Sequence, residues 1–223
     1  MAEKKIVIFA NGKLKNAARA RRIASDADFI ICADGGAVHC DNLGIIPDLL
    51  VGDLDSTPKK LRKKLEMQHV EIDQHPTHKD STDLELALRH AVKMREKHKS
   101  NRNYKVSVHL LAALGGRLDM TLATILLPAA WGHRNLDIFI HGDHNLVRLF
   151  TPGSHTVYGT PGATVSFLPL AGEVKELSLV GFEYSVDEIN LRLGSSRCVS
   201  NRIERDSCLV SFTEGMLLMV MNN

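Results

Sequence analysis

FIICADGGAVHCDNLGIIPDLLVGDLDS, residues 29–56, decides the architecture. Phe29–Ala33 is a continuous apolar run, Asp34-Gly35-Gly36 breaks it, and a second apolar run at Leu49–Val51 ends in Gly52-Asp53-Leu54-Asp55. Runs of this kind read as parallel strands covered on both faces. Working outward, the same texture marks strands at Lys5–Ala10, Val70–Ile72, Val106–Ala112 and Leu136–Ile140, with helical patterns between them. The clearest helix starts near Ser81, where Leu84, Ala87, Leu88, Ala91 and Val92 form one apolar stripe. Asp80 or Ser81 is its expected cap, and Asp83 and Glu85 fall in the first turn, where the helix dipole favours acids. The βαβα order predicts a three-layer α/β/α domain with a mostly parallel sheet over residues 1–144. From Asn145 the texture changes to short strands punctuated by Gly and Pro: TVYG, ATVSFLPL, VKELSLVGF, SCLVSFTEG and MLLMVM. That spacing predicts an all-β, sandwich-like domain over residues 145–223.

The bulk numbers exclude more than they specify. Hydrophobic residues at 44% and charged residues at 24% are those of an ordinary soluble domain, and a net charge of +2 makes no case for nucleic acid. The basic runs Arg19–Arg22 and Lys59–Lys64 alternate with apolar residues and read as solvated helix faces. Cys32, Cys40, Cys198 and Cys208 show no CxxC spacing, so neither a disulfide framework nor a zinc knuckle is expected. The amino terminus enters a strand directly, without the apolar segment of a leader, and no run is long enough to span a bilayer. A cytoplasmic protein without membrane or nucleic-acid partners is the expectation.

The chemistry-bearing residues lie where predicted strands end or helices begin. In open α/β sheets those positions converge on the ligand crevice. Asp34, Asp53, Asp55 and Asp83 all belong to this set. Converging carboxylates repel unless a cation sits among them, and Mg²⁺ prefers a few carboxylates plus substrate phosphates. If Asp53 and Asp55 are locally extended, they point to one side and can share a cation. Gly35 and Gly36 would let a phosphate approach the backbone N–H groups of the next helix, although a tight turn alone also wants glycine. Within KDSTD, residues 79–83, Asp80 and Thr82 suit a helix start, but Lys79 opposes the helix dipole and suits an anionic ligand. GGRLD, residues 115–119, adds a free backbone at Gly116, a donor fork at Arg117 and a carboxylate at Asp119. Ser56 is an alternative cap for a helix opening at Pro58. The histidines of QHPTHK and HGDH read as solvated loop residues, and Walker A, GxGxxG and GxSxG sequences are absent. Phosphoryl-type transfer from a nucleotide is the chemistry these residues fit.

ADGGA, PDLLVGDLDS, KDSTDLELAL and GGRLD, in this order, resemble thiamine pyrophosphokinases, and the likeness continues through VSFLPL, GFEY, SSRCVSN and EGMLLMVM. The resemblance implies a homodimeric enzyme in which the hydroxyl of thiamine attacks the β-phosphorus of ATP, with AMP leaving. It implies that Asp34, Asp53, Asp55 and Asp83 hold Mg²⁺ and the triphosphate, with Arg117 and Lys79 neutralising phosphate charge. Asn11 and Gly12 would serve the nucleotide side, and Ser200 and Asn201 the thiamine pocket. Departures from the family pattern are Met120 in place of a histidine, Thr124 in place of an asparagine, Ser185 after Tyr184, and Arg202 in SNRI. They keep two further readings open: diphosphate transfer to another hydroxymethyl acceptor such as a pterin, and a non-catalytic nucleotide- or thiamine-binding regulator.

Overall fold

Six strands build a parallel sheet: β1 (Glu3–Phe9), β2 (Phe29–Ala33), β3 (Leu49–Gly52), β4 (Glu71–Gln74), β5 (Lys105–Leu111) and β6 (Leu136–His141). The computed structural model describes residues 3–98, 104–131 and 136–222. Its chain divides into two compact units, Met1–Leu127 with Arg134–Asp143, and Pro128–His133 with His144–Asn223. In the first unit the strands run in the order β6-β5-β1-β2-β3-β4, each pair parallel. The order reverses direction between β1 and β5, which opens a crevice at the carboxyl ends of those strands.

Helices cover both faces. Val7, Phe9, Cys32 and Leu50 pack in one cluster with residues of α1 (Ala17–Ala24), α2 (Gly36–Leu43) and α3 (Lys59–Met67). Their strand neighbours Ile6, Ile8, Ile31, Leu49 and Val51 are equally buried and point the other way, because side chains alternate along a strand. On that side α4 (Asp83–Glu96) packs against β1, β2, β3 and β5. Every residue of the α4 stripe, Leu84, Ala87, Leu88, Ala91 and Val92, is buried as its period requires. α5 (Leu118–Trp131) follows β5. The basic runs lie on α1 and α3 with Arg21, Arg22, Lys59, Lys60, Lys63 and Lys64 exposed.

Two helix starts differ from expectation. The cap of α4 is Thr82, whose hydroxyl accepts the Glu85 N–H at 3.2 Å, and not Asp80 or Ser81. The deciding pattern is Thr82-x-x-Glu85, a capping-box spacing one residue further on than the first available acid. Ser56 does not cap α3 either. Pro58 stands immediately before that helix, and Ser56 instead donates its N–H to Asp34 and its hydroxyl to Asp55.

In the second unit β7 (Asn145–Phe150), β8 (Gly153–Tyr158), β9 (Thr164–Pro169), β10 (Val174–Val180), β11 (Val186–Leu191), β12 (Asn201–Arg202), β13 (Ser207–Phe212) and β14 (Leu217–Asn222) form two antiparallel layers. One runs β12-β9-β14-β7, the other β11-β10-β13-β8. Phe150, Phe167, Leu217 and Met219 from the first layer meet Val157, Leu177, Leu179, Val210 and Phe212 from the second in one core. That is a β-sandwich. Phe167 and Phe182 pack edge to face with ring centroids 5.2 Å apart. All four cysteines are free and buried; Cys32 and Cys40 bring their sulfurs to 3.2 Å in the first unit's core. Among the described residues no helix is long and apolar enough to cross a membrane.

Candidate active site

The crevice at the carboxyl ends of β1, β2, β3 and β5 is a cleft of about 630 Å³. Asn11, Gly12, Asp34, Asp53, Asp55, Lys79, Thr82, Asp83, Gly116 and Arg117 line it, so ten sequence-predicted residues from five separate segments converge. Oxygen atoms of Asp34, Asp53 and Asp83 lie within 4.8 Å of one another.

Asp34 is 4% exposed and sits at φ 44°, a left-handed conformation that costs an aspartate about 1 kcal/mol or more. Its surroundings enforce it: the Asp34 N–H donates to the Val51 carbonyl, the Thr57 hydroxyl donates to one carboxylate oxygen at 3.0 Å, and the Ser56 N–H to the other at 3.3 Å. The segment from Asp53 to Asp55 does not run straight. Leu54 between them stands at φ 65° with its side chain buried among Leu50, Leu61 and Leu65. The chain turns at this residue, and the Asp55 N–H points back to Asp53 Oδ1 at 3.3 Å. Asp55 is therefore exposed on the rim of the cleft, outside the trio. Gly52 precedes the turn at φ 142°, and a Cβ on it would come 2.9 Å from the Asp83 carboxylate. Only glycine lets β3 and Asp83 approach so closely.

Lys79 reaches into the trio. Its ammonium is 3.2 Å from Asp53 Oδ2 and 3.1 Å from Asp83 Oδ1. Burial opposes the Asp53 charge, but the Asp55 N–H and Lys79 outweigh it and hold the pKa below the usual carboxylate value. At Asp83 burial dominates; Lys79 pulls the pKa down, Asp53 and Asp34 push it up, and it ends raised. Burial works against the Lys79 charge too, yet Asp83 and Asp53 leave its pKa above the ordinary lysine value. Asp83 Oδ1 is buried and accepts no well-aligned hydrogen bond. Three converging carboxylates, one with an oxygen held only by the Lys79 ammonium, are a donor set that fits a hard divalent cation.

The remaining predicted residues separate. Gly35 and Gly36 are buried and do not line the cleft: a Cβ on Gly36 would meet the Phe9 carbonyl at 2.0 Å, so this glycine serves the packing of α2 on β1. The Asn11 amide lies over Gly35, and the His39 ring holds the Gly12 carbonyl at 2.8 Å. Asp80 is exposed beside the cleft. Asp119 pairs with Arg117 at 2.5 Å on the surface, which lowers the Asp119 pKa and raises that of Arg117. Ser200 and Asn201 belong to the second unit. Ser200 is exposed at φ 58°, its N–H donating to Ser166. Asn201 is buried; its amide accepts the Tyr184 and Arg202 N–H groups at 2.9 and 2.8 Å and donates to the Tyr184 carbonyl at 2.9 Å.

Sequence reasoning missed Lys13, Thr57 and Thr77. Lys13 lines the cleft just after β1, and its signal was the Asn-Gly-Lys at a strand end, the same position in the fold as the Asp motifs. Met120 and Thr124, where the family pattern has other residues, both line the cleft.

Such a cleft, with a carboxylate trio and cations at a topological switch point, has the groups that a phosphate-bearing ligand with its cation would fit. The description "Thiamin pyrophosphokinase, catalytic domain" matches residues 20–140, and "Thiamin pyrophosphokinase, vitamin B1 binding domain" matches residues 154–217. The chain belongs to the thiamine pyrophosphokinase family and is an enzyme of that class. It is 29% identical over 191 residues to the thiamine pyrophosphokinase of Bacillus subtilis, covering 85% of each chain. The crystal structure of a Bacillus subtilis thiamine pyrophosphokinase superposes with a TM-score of 0.82 at 27% identity over 99% of both chains. That of Geobacillus thermodenitrificans gives 0.80 at 28% identity, over 98% of this chain and 97% of the other.

Proposed function

We propose that this protein is a thiamine diphosphokinase: the primary hydroxyl of thiamine attacks the β-phosphorus of ATP, the bond between that phosphorus and the α,β-bridging oxygen breaks, the oxygen leaves with AMP, and thiamine diphosphate is formed. The observation that carries the reading is the Asp34–Asp53–Asp83 trio in the switch-point cleft of a chain from this family. Residues 1–144 act as the ATP- and Mg²⁺-binding domain and residues 145–223 as the thiamine-binding domain. The two matched family regions support that division.

Asp34, Asp53 and Asp83 hold the cation, with Asp55 at the rim. When bound, Mg²⁺ supplies positive charge against the triphosphate. Arg117 exchanges its surface partner Asp119 for a phosphate, which its planar fork fits in two-point contact. Lys13 and Lys79 add charge on the walls of the cleft. Diphosphoryl transfer asks for alignment and charge neutralisation more than covalent help from the protein. In the second unit Asn201 has both lone pairs of its amide oxygen engaged, so it positions the Tyr184 segment, and Ser200 stays free to face thiamine. The working form is a cytoplasmic homodimer.

The test is a product assay with ATP, Mg²⁺ and thiamine, separating nucleotides and thiamine phosphates by chromatography. AMP and thiamine diphosphate in equal amounts, abolished by EDTA, are expected. ADP in place of AMP overturns the reaction type, and turnover with a pterin alcohol but not thiamine overturns the acceptor. Gel filtration with light scattering checks the dimer.

A further inference from the structure

Lys79 holds two members of the acidic trio at once, 3.2 Å from Asp53 Oδ2 and 3.1 Å from Asp83 Oδ1, with its side chain 14% exposed. A divalent ion bound between Asp53 and Asp83 draws on the same two carboxylates. The segment carrying Lys79 lies between β4 and the Thr82 cap of α4, and its flexible four-carbon stem lets the ammonium move while the backbone stays. A bare ion entering the trio has to displace the ammonium, leaving it partly buried without its carboxylate partners, and has to shed water that Mg²⁺ releases reluctantly. An ion that arrives carrying a triphosphate brings its own anionic oxygens, and these give the displaced ammonium a new partner. Arg117, already paired on the surface with Asp119, has no such hold on the trio.

We propose, resting on the function assigned to this cleft, that Lys79 is a resident counter-cation that closes the acidic trio to free divalent ions and admits metal only together with nucleotide, onto whose phosphates the ammonium then transfers. Lys79 thus sets the order of binding as well as neutralising phosphate.

The experiment is titration of Mn²⁺ into the whole protein, following the free ion by electron paramagnetic resonance, with and without a non-hydrolysable ATP analogue. Wild type, Lys79→Met and Lys79→Gln are compared. In wild type the analogue should tighten Mn²⁺ binding by about a hundredfold, and Lys79→Met should bind Mn²⁺ alone about tenfold more tightly than wild type, shrinking that coupling by the same factor. Wild type binding Mn²⁺ equally well with and without the analogue overturns the proposal and needs no variant. So does a variant that circular dichroism shows to be folded yet binds bare Mn²⁺ no more tightly. Lys79→Gln, which keeps a hydrogen bond to Asp53, serves if the Met variant does not fold. The product assay separates the two ideas: AMP and thiamine diphosphate formed by a wild type without metal–nucleotide coupling removes the lysine's gating role and leaves the reaction standing.

Discussion

In the first unit Asp34, Asp53 and Asp83 face one another with one ammonium between two of them, and one of the trio has its pKa raised by burial and by its neighbours. In the second unit Asn201 is more deeply buried than Asp53 or Asp83, but its amide closes three neutral hydrogen bonds to backbone partners. The cleft is assembled from groups that disfavour each other and wait for a ligand. The Asn201 clasp is complete without one. The first site holds the Asp83 charge against its surroundings while the second is fully paired, and variants of the two should fail in different ways.

The widest separation is expected from Asp53→Asn and Asp55→Asn. Both should fold normally and lower kcat, by on the order of a hundred- to a thousandfold for Asp53, because each would weaken the hold on a cation whose positive charge offsets phosphate charge mainly in the transition state. Unchanged melting with full activity in either would end its place in the site. Acid should act on the first unit next. His109 Nδ1 and His141 Nε2 lie 2.9 Å apart; burial drives His109 down to about 4, and burial with the His109 charge drives His141 to about 3. Lys5 and Arg19 add to the depression, and Asp26 and Asp137 oppose it at His109. The unfolded chain takes up protons at these residues near pH 6.5 and the folded one does not. Stability is therefore full above about 6.5 and falls toward pH 4, by about 1.4 kcal/mol per pH unit for each group. His109→Gln should flatten denaturant-measured stability over that window; an unaltered slope would exclude the pair.

Asn201→Ala removes the clasp and leaves the Tyr184 backbone groups unpaired, at about 1–3 kcal/mol in urea unfolding. ATP affinity should stay constant, and a loss of ATP binding would blur the contrast between the two regions. The smallest effect sharpens it most. Burial and the facing carboxylates of Asp53 and Asp34 raise the Asp83 pKa against the pull of Lys79, so its charge costs stability that is recovered as pH falls through that pKa, and Asp83→Asn should raise the metal-free melting temperature slightly while activity is lost. A lower melting temperature would mean that the trio stabilises the fold.

The sheet was legible because Phe29–Ala33 and Leu49–Gly52 carry the continuous apolar pattern that only two-sided cover explains. The second unit was less so: β11, VDEINL, carries exposed Asp187, Glu188 and Asn190 at the edge of its layer, and β12 is two residues long. No hydrophobic period marks either. At the site, residue type and position at strand ends were enough to find the aspartates. What they could not give was the left-handed turn at Leu54, which depends on that side chain finding the core around Leu50, Leu61 and Leu65. Gly36 shows the converse, since its need for zero side chain comes from the Phe9 carbonyl on another strand.

Leu54 has a consequence for how this enzyme ages and warms. A buried leucine flanked by two cleft aspartates couples the set of the ligands to the solidity of the interior behind them. Loosening around α3 by heat or by a truncated leucine will reach Asp53 first, so catalysis should fade several degrees before the chain melts, and a thermostable version would be sought in that patch of core and not at the cleft.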